Sequence, residues 1–350
     1  MSCVGVVLRR ALHFLARFNL PNRAVVYDTT FGYRGHARAC YDFLVKTYPN
    51  KRIYFVTKKH HPKQRNFYSY YSVFGLIYTY LCKYQFYTVS APAYQNLDKK
   101  ITVQFWHGTP IKSLGRFDKG MNEKTLRRMI FEFNKYKLII VSDRQTKDAL
   151  RAGFDVKQNI EIAASPYIVQ LHENRRAAQV AQKRMSQNAS RFKILYAPTF
   201  RSSVTRMWDL GTDGDWMEFC KRCDIDFECS YHPSDKLSPQ KLNDDILVSM
   251  PQADLLITDY SSVCFDADKI GIPTVLYQPD FYSYQRDRGI SNFYSLGTFP
   301  TVYDTKTLCS LVESKIILSR HSMLSGPSEL NDEGLRNYLK GIGFSEDEKA

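Results

Sequence analysis

The sequence predicts an α/β protein built from two Rossmann-like domains that face a cleft. Short runs rich in β-branched and aromatic residues alternate with helical patterns, which is typical of parallel sheets built from βαβ units. The 350 residues exceed the usual size of a single core and indicate two domains of roughly 150 residues each. Hydrophobic residues make up 44% and charged residues 24% of the chain, which excludes a disordered protein.

Strand candidates are spread over both halves of the chain. In the first half they are Ala24–Asp28, Arg52–Thr57, Phe86–Ser90, Thr102–Trp106 and Leu138–Ser142. In the second half they are Lys193–Ala197, Asp226–Tyr231, Asp245–Ser249, Leu255–Thr258 and Thr274–Tyr277. Residues 170–190 are typical of a helix that follows the crossover between the halves. We therefore expect an N-terminal domain at residues 1–165, a C-terminal domain at 166–325 and a loose tail at 326–350.

The positive charge is concentrated in the first half of the chain. Residues 1–150 hold 26 Lys and Arg against 8 Asp and Glu, whereas residues 151–350 hold 23 against 27. A field of this sign attracts polyanions, namely nucleic acid, an anionic membrane surface or a phosphate-rich substrate. Scattered solubilising lysines are the alternative. No RNA-binding signature is recognisable, so nucleic acid is not expected as a partner, and a nucleic-acid-binding protein is kept as the non-enzyme alternative.

Two segments favour peripheral attachment to a membrane. Residues 4–18 place Val, Leu and Phe among three arginines, as in an interfacial amphipathic helix. The stretch Phe67–Tyr87 carries ten aromatic residues in 21, which suits a headgroup boundary. Packing of both segments within their own domain is the alternative. The sequence holds no apolar run of 18 residues, so a membrane-spanning helix is not expected.

The composition gives no indication of a cofactor or metal. The eight cysteines are scattered, which favours a reduced cytosolic setting. Cys220, Cys223 and Cys229 lack a fourth zinc ligand at the customary spacing unless His232 serves, so no metal is expected. The sequence also lacks a GxxxxGK[ST] loop and a GxGxxG motif after the first strand, which disfavours P-loop kinases and ordinary dinucleotide enzymes.

Polar residues follow several predicted strands at the point where each strand ends. In an open parallel sheet, ligands bind just beyond the carboxyl ends of the strands, so these residues are the candidates for a site. The set comprises His107, Gly108 and Thr109, then Thr199 and Arg201, then His232, and finally Asp259, Tyr260, Ser261 and Ser262. Two histidines, small hydroxyls and basic groups are thus expected to face one cleft.

The two histidines suit different tasks. A neutral imidazole at His107 can remove a proton from an attacking hydroxyl, because its ordinary pKa of about 6.5 lies near working pH. Gly108 has no side chain, so another group can approach its backbone closely. The positive charge of Lys112 can complement the negative charge of a phosphate. His232 can donate hydrogen bonds to a pyrophosphate leaving group. A satisfied structural histidine is the alternative at either position.

The Ser261–Ser262 turn leads from a predicted strand into a predicted helix. Its hydroxyls and the amides at the helix start can hold phosphate, whereas simple capping of the helix is the alternative. Arg288, in a predicted loop, can clamp a phosphate bidentately, with solvated surface charge as the alternative.

The ordered motifs resemble the CDP-glycerol:poly(glycerophosphate) glycerophosphotransferases, a family that builds teichoic acids and related capsule polymers of the cell wall. The matching strings are FWHGTPIKSLG (105–115), ILYAPTFR (194–201), YHP (231–233), DLLITDYSSVCFD (254–266) and PDFYSYQRDRG (279–289). The resemblance covers roughly residues 24–295. It implies a glycosyltransferase-B-like fold whose members are monotopic at the cytoplasmic face of the cell membrane.

The resemblance also implies an activity, namely transfer of glycerol phosphate from CDP-glycerol to a hydroxyl of a polyanionic, lipid-linked polymer with release of CMP. His107 would act as the base, while His232, Ser261 and Ser262 would hold the donor diphosphate. Thr109, Arg201 and Arg288 are expected to bind phosphate, and Lys112 and Asp259 to contact acceptor or phosphate. The second domain would bind the donor, and the first would meet acceptor and membrane. CDP-ribitol transfer is an alternative, because AASPYIVQL (163–171) departs from the family pattern. Glycosyl transfer from a nucleotide sugar on the same fold is another.

Overall fold

The chain folds into two units, each built around its own parallel sheet. The computed structural model describes residues 11–12, 14–28, 30–59, 63–92, 95–118, 120–184, 191–199, 208–231, 245–288, 290, 299–319 and 332–345, with backbone alone at 183–184, 287–288 and 315–319. The first unit comprises Met1–His107, Leu114–Val169 and Asn331–Ala350. The second comprises Gly108–Ser113 and Gln170–Leu330.

The first unit contains a seven-stranded sheet in the order β3-β2-β1-β4-β5-β6-β7, and neighbouring strands are parallel. The strands are β1 Leu20–Tyr27, β2 Arg52–Thr57, β3 Phe67–Ser69, β4 Cys82–Tyr87, β5 Ile101–Phe105, β6 Leu138–Val141 and β7 Ile160–Ile162. The helices are α1 Gly35–Thr47, α2 Val73–Leu81, α3 Glu123–Phe133 and α4 Arg144–Phe154, while α5 Pro166–Arg184 continues into the second unit. The strand order reverses between β1 and β4, which creates a topological switch point.

Both faces of this sheet are buried, which explains why its strands are nearly continuous apolar runs. Successive side chains of a strand point to opposite faces. Val26 and Phe55 accordingly join a cluster with Leu44 of α1, whereas Val25 belongs to a second cluster with Leu150 of α4. The sheet therefore has a separate core on each side.

The second unit contains a five-stranded parallel sheet in the order β12-β11-β10-β8-β9. The strands are β8 Phe192–Tyr196, β9 Ile225–Cys229, β10 Leu255–Thr258, β11 Thr274–Tyr277 and β12 Thr301–Val302. The helices are α6 Gly214–Arg222, α7 Ile246–Ser249, α8 Val263–Lys269, α9 Phe281–Arg288 and α10 Thr305–Ser319. The strand order here reverses between β8 and β10, so this sheet has a switch point of its own.

Several predictions about the elements differ from the structure, and the predicted strand Phe86–Ser90 shares only Phe86 and Tyr87 with β4. Residues Asp245–Ser249 do not form a strand, because Asp245 caps α7 by accepting a hydrogen bond from the Leu247 amide at 3.3 Å. The expected tail at 326–350 contains an ordered helix, α11 Glu333–Gly341, which belongs to the first unit. Leu335 and Leu339 are fully buried there, so an apolar stripe holds this helix on the sheet.

The aromatic stretch Phe67–Tyr87 divides between the core and the surface. It forms β3, α2 and β4 in succession, and Tyr80 and Tyr84 are fully buried. Tyr71 and Phe74, in contrast, are 73% and 58% exposed. Among the described helices, none is both long and apolar enough to cross a membrane.

Candidate active site

A buried carboxylate organises the switch point of the first sheet. Asp28 directly follows β1 and is 1% exposed. Its Oδ1 accepts hydrogen bonds from the amides of Thr30 and Phe31 at 2.8 Å and of Gly32 at 3.2 Å. Its Oδ2 accepts one from the hydroxyl of Thr88, which follows β4, at 3.3 Å. Asp28 therefore ties together the two strand ends on either side of the switch point.

His107 lies two residues beyond β5, near this carboxylate. Its side chain reaches solvent, while its ring stacks on Trp106 with centroids 4.9 Å apart. Surrounding protein atoms desolvate the ring and lower the pKa of His107, an effect opposed by a hydrogen bond with the Thr88 backbone and by the charge of Asp28. A lowered pKa favours the neutral form of the imidazole. Because one ring nitrogen is engaged by Thr88, the other keeps its lone pair for a proton.

A second histidine lies beside His107. His36, in the first turn of α1, has its ring centroid 6.4 Å from that of His107, in an edge-on arrangement. The ring of Tyr167 stacks on that of His36, with centroids 3.8 Å apart. His36, Asp28 and Thr88 were not among the predicted site residues. Asp28 and Thr88 were detectable, since each is the first polar residue beyond a strand.

The segment that follows His107 belongs to the second unit. Gly108 adopts φ +75°, and a Cβ at this position would lie 2.6 Å from Ser262 Oγ. The close approach and the left-handed backbone both require glycine. Ile111 anchors the segment by packing with Cys264 and Leu276. Thr109 is buried at 2% exposure, and Lys112 is exposed.

Asp259 joins two strand ends at the switch point of the second sheet. Its Oδ1 accepts hydrogen bonds from the Thr199 amide at 2.8 Å, the Thr199 hydroxyl at 2.5 Å and the Tyr260 amide at 2.6 Å. Thr199 follows β8 and Asp259 follows β10, so this carboxylate fixes both strand ends. The Asp259 side chain is 6% exposed, and one of its oxygens accepts all three hydrogen bonds. Asp259 therefore has a structural role, which is to hold the two strand ends together.

Ser261 and Ser262 are half-buried and lead into α8. Ser262 occupies the N-cap position, yet its side chain makes no capping hydrogen bond. Ser261 Oγ accepts a bond from the Val263 amide at 3.5 Å, a distance at which such bonds are weak. Helix capping therefore accounts poorly for the two hydroxyls.

The remaining predicted residues have no described side chain. His232 and Arg201 lie outside the described residues. Arg288 is the last residue of α9, and its side chain is likewise not described. Among the described residues, no cluster of three or more His, Cys, Asp or Glu is arranged to hold a metal.

Solved structures of the wall teichoic acid polymerase TagF have the same fold. A TagF variant matches with a TM-score of 0.75, 18% identity and coverage of 97% of this chain and 95% of that chain. Another TagF structure matches with a TM-score of 0.70, 20% identity and coverage of 97% and 89%. The two parallel sheets and this likeness confirm the predicted glycosyltransferase-B-like α/β fold.

The chain belongs to the CDP-glycerol:poly(glycerophosphate) glycerophosphotransferase family, whose sequence model matches residues 11–315. The teichoic acid poly(glycerol phosphate) polymerase of Bacillus spizizenii is 25% identical over 209 residues, 52% of this chain and 52% of that protein. The teichoic acid glycerol-phosphate primase of Bacillus subtilis is 24% identical over 264 residues, 69% of this chain and 68% of that protein. The chain thus spans about half the length of the Bacillus spizizenii polymerase.

Proposed function

We propose that the protein transfers glycerol phosphate from CDP-glycerol to a hydroxyl of a membrane-linked, teichoic-acid-like polymer and releases CMP. Membership of the family supports the reaction class. The observation that carries the proposal is the position of His107 beyond the carboxyl end of β5, near Asp28 and hydrogen-bonded to the Thr88 backbone.

His107 is proposed as the general base. The terminal hydroxyl of the acceptor attacks the β-phosphorus of the donor, a new P–O bond forms, and the bond from that phosphorus to CMP breaks. The proton of the hydroxyl passes to the imidazole nitrogen that Thr88 does not engage. Asp28 adds negative charge nearby, which stabilises the imidazolium that results.

The second unit is proposed to bind the donor diphosphate. The hydroxyls of Ser261 and Ser262 would donate hydrogen bonds to phosphate, and His232 would stabilise the charge on departing CMP. Arg201, Arg288 and Thr109 are proposed as further phosphate ligands, with Lys112 as an exposed positive charge. This assignment is supported by the Ser262 side chain, which Gly108 approaches closely and which does not cap its helix.

The first unit is proposed to bind the polyanionic acceptor and the anionic surface of the membrane on its cytoplasmic face, without spanning the membrane. The excess of basic residues in residues 1–150 supports attraction to both. Phe14, Phe18, Tyr71, Val73 and Phe74 each expose more than half of their surface. Exposed apolar side chains of this size, in a basic unit, suit insertion among lipid headgroups.

A donor panel tests the proposal. The purified protein is incubated with lipid-linked acceptor and CDP-glycerol, CDP-ribitol or a nucleotide sugar, and release of the nucleotide is followed together with product length. We expect CMP release from CDP-glycerol in the presence of acceptor. Turnover of the nucleotide sugar alone would refute the proposed reaction, and turnover of CDP-ribitol alone would correct the polyol.

A further inference from the structure

Two buried tyrosines connect the Ser261–Ser262 turn with α9. Tyr260 immediately precedes Ser261 and is 1% exposed, while Tyr284 lies within α9 and is 4% exposed. Their rings stack with centroids 3.7 Å apart and planes inclined by 7°. An aromatic pair packed this closely keeps its two backbones at a set separation.

Two hydrogen bonds also join the segment that contains Tyr260 to the segment that precedes α9. The Tyr260 hydroxyl donates to Asp280 Oδ1 at 3.0 Å, and Asp280 directly precedes α9. Gln278 donates from Nε2 to the carbonyl oxygen of Asp259 at 3.0 Å. Asp280 and Gln278 are buried, and burying such groups is unfavourable unless their hydrogen bonds are made. The position of α9 relative to Tyr260 is therefore well defined, because a shift of the helix would leave buried polar groups without hydrogen bonds.

The position of α9 matters because of where the helix ends. Arg288 is four residues beyond Tyr284, so its Cα lies about one turn further along the same side of the helix. The Tyr260 end of the stack is adjacent in sequence to Ser261. The stack thus spans from the hydroxyl-bearing turn to the helix that carries Arg286 and Arg288.

We infer that Tyr260 and Tyr284 are positioning residues for the donor diphosphate: they set the separation between the Ser261–Ser262 hydroxyls and α9. This inference rests on the proposed function of the second unit. Neither tyrosine contacts the substrate, because both are buried. They act by keeping two groups of phosphate ligands at one separation, and a misplacement of about 1 Å in such a site costs on the order of 100-fold.

The test compares variants that keep or remove the stacked ring. Tyr284→Leu removes the ring, and we expect the KM for CDP-glycerol and the Kd for CDP to rise roughly 10-fold or more, because misplaced ligands bind poorly. Tyr284→Phe retains the ring and should restore both values to within about twofold, because the stack depends on the ring alone. The pH dependence of kcat should stay unchanged in both, because His107 is untouched.

A matched control separates positioning from stability. Val312→Ala opens a cavity at a fully buried site of α10, in a core cluster with Ile194 and Ile257, so it should lower Tm without changing KM or the Kd for CDP. Should Tyr284→Leu fail to fold, Tyr260→Phe provides the test, since loss of its hydrogen bond to Asp280 should raise KM about fivefold.

The outcomes are distinguishable. A wild-type protein that binds CDP-glycerol, together with Tyr284→Leu and Tyr260→Phe variants whose KM and Kd match those of Val312→Ala, overturns the inference alone. A wild-type protein that neither binds nor turns over CDP-glycerol overturns the proposed function and the inference with it.

Discussion

Replacing Gly108 with alanine tests whether the segment beyond β5 requires a glycine. At φ +75° an alanine costs about 1–2 kcal/mol of backbone strain. Its Cβ would lie 2.6 Å from Ser262 Oγ and 3.1 Å from Ser262 Cβ, so the serine would have to move, at a further cost of about 1–2 kcal/mol. We therefore expect the free energy of unfolding of the second unit to fall by roughly 2–4 kcal/mol. The rate of CMP release should fall too, since the segment directly follows His107.

Thermal and urea unfolding of Gly108→Ala measure this loss, and each kcal/mol should lower Tm by roughly 2–4 °C. The double variant Gly108→Ala, Ser262→Ala should recover about 1 kcal/mol, because it removes the nearer contact but not the strain. Gly214→Ala is the matched control, since a Cβ there meets nothing within 4 Å. Equal stability of Gly108→Ala and Gly214→Ala would refute the reasoning.

Three further predictions concern burial and pH. Burial lowers the pKa of Lys100 to about 8, below the unfolded value of about 10.4, so the unfolded state binds more protons between these two values. In urea unfolding, the free energy of unfolding of wild type should therefore rise relative to that of Lys100→Met from pH 8 to 10. A difference that stays constant over this range contradicts the prediction. Leu339→Ala should lower the free energy of unfolding by about 2–5 kcal/mol and exposed Lys340→Ala by less than about 0.5 kcal/mol; equal effects would mean that α11 is not part of the core. Activity is lost as the base is protonated, so the lowered pKa of His107 should give the acid limb of the kcat/KM profile a midpoint below about 6.5, the ordinary pKa of histidine. A midpoint above about 6.5 would contradict this.

The positions of most strands were predictable from residue patterns. The bounds of Arg52–Thr57, Leu255–Thr258 and Thr274–Tyr277 were predicted as observed, because β-branched residues there form short runs between turn residues. The strands β3, β7 and β12 were missed, since two or three residues give no periodicity. The prediction for Asp245–Ser249 was wrong because a short apolar run does not distinguish a strand from a helical turn.

The types of residue in the site were predictable from the sequence, but their contacts were less predictable. Polar residues beyond strand ends identified His107, Ser261 and Ser262 as candidates, and the structure gives each a described position. The pairing of Asp259 with Thr199 joins residues 60 positions apart, which no local pattern encodes. Only the strand order makes such partners adjacent. The structural role of Asp259 could therefore not be read from its motif.

The role of His107 is tested most directly by comparing His107→Asn with wild type in CMP release from CDP-glycerol. Asparagine keeps a hydrogen-bond donor for the Thr88 backbone but has no basic nitrogen. We predict that kcat falls by roughly 100- to 10,000-fold, the usual contribution of a general base, while Tm and the Kd for CDP stay within error of wild type. Turnover near the wild-type rate would contradict the account, because the proton of the attacking hydroxyl would then have to leave by another group.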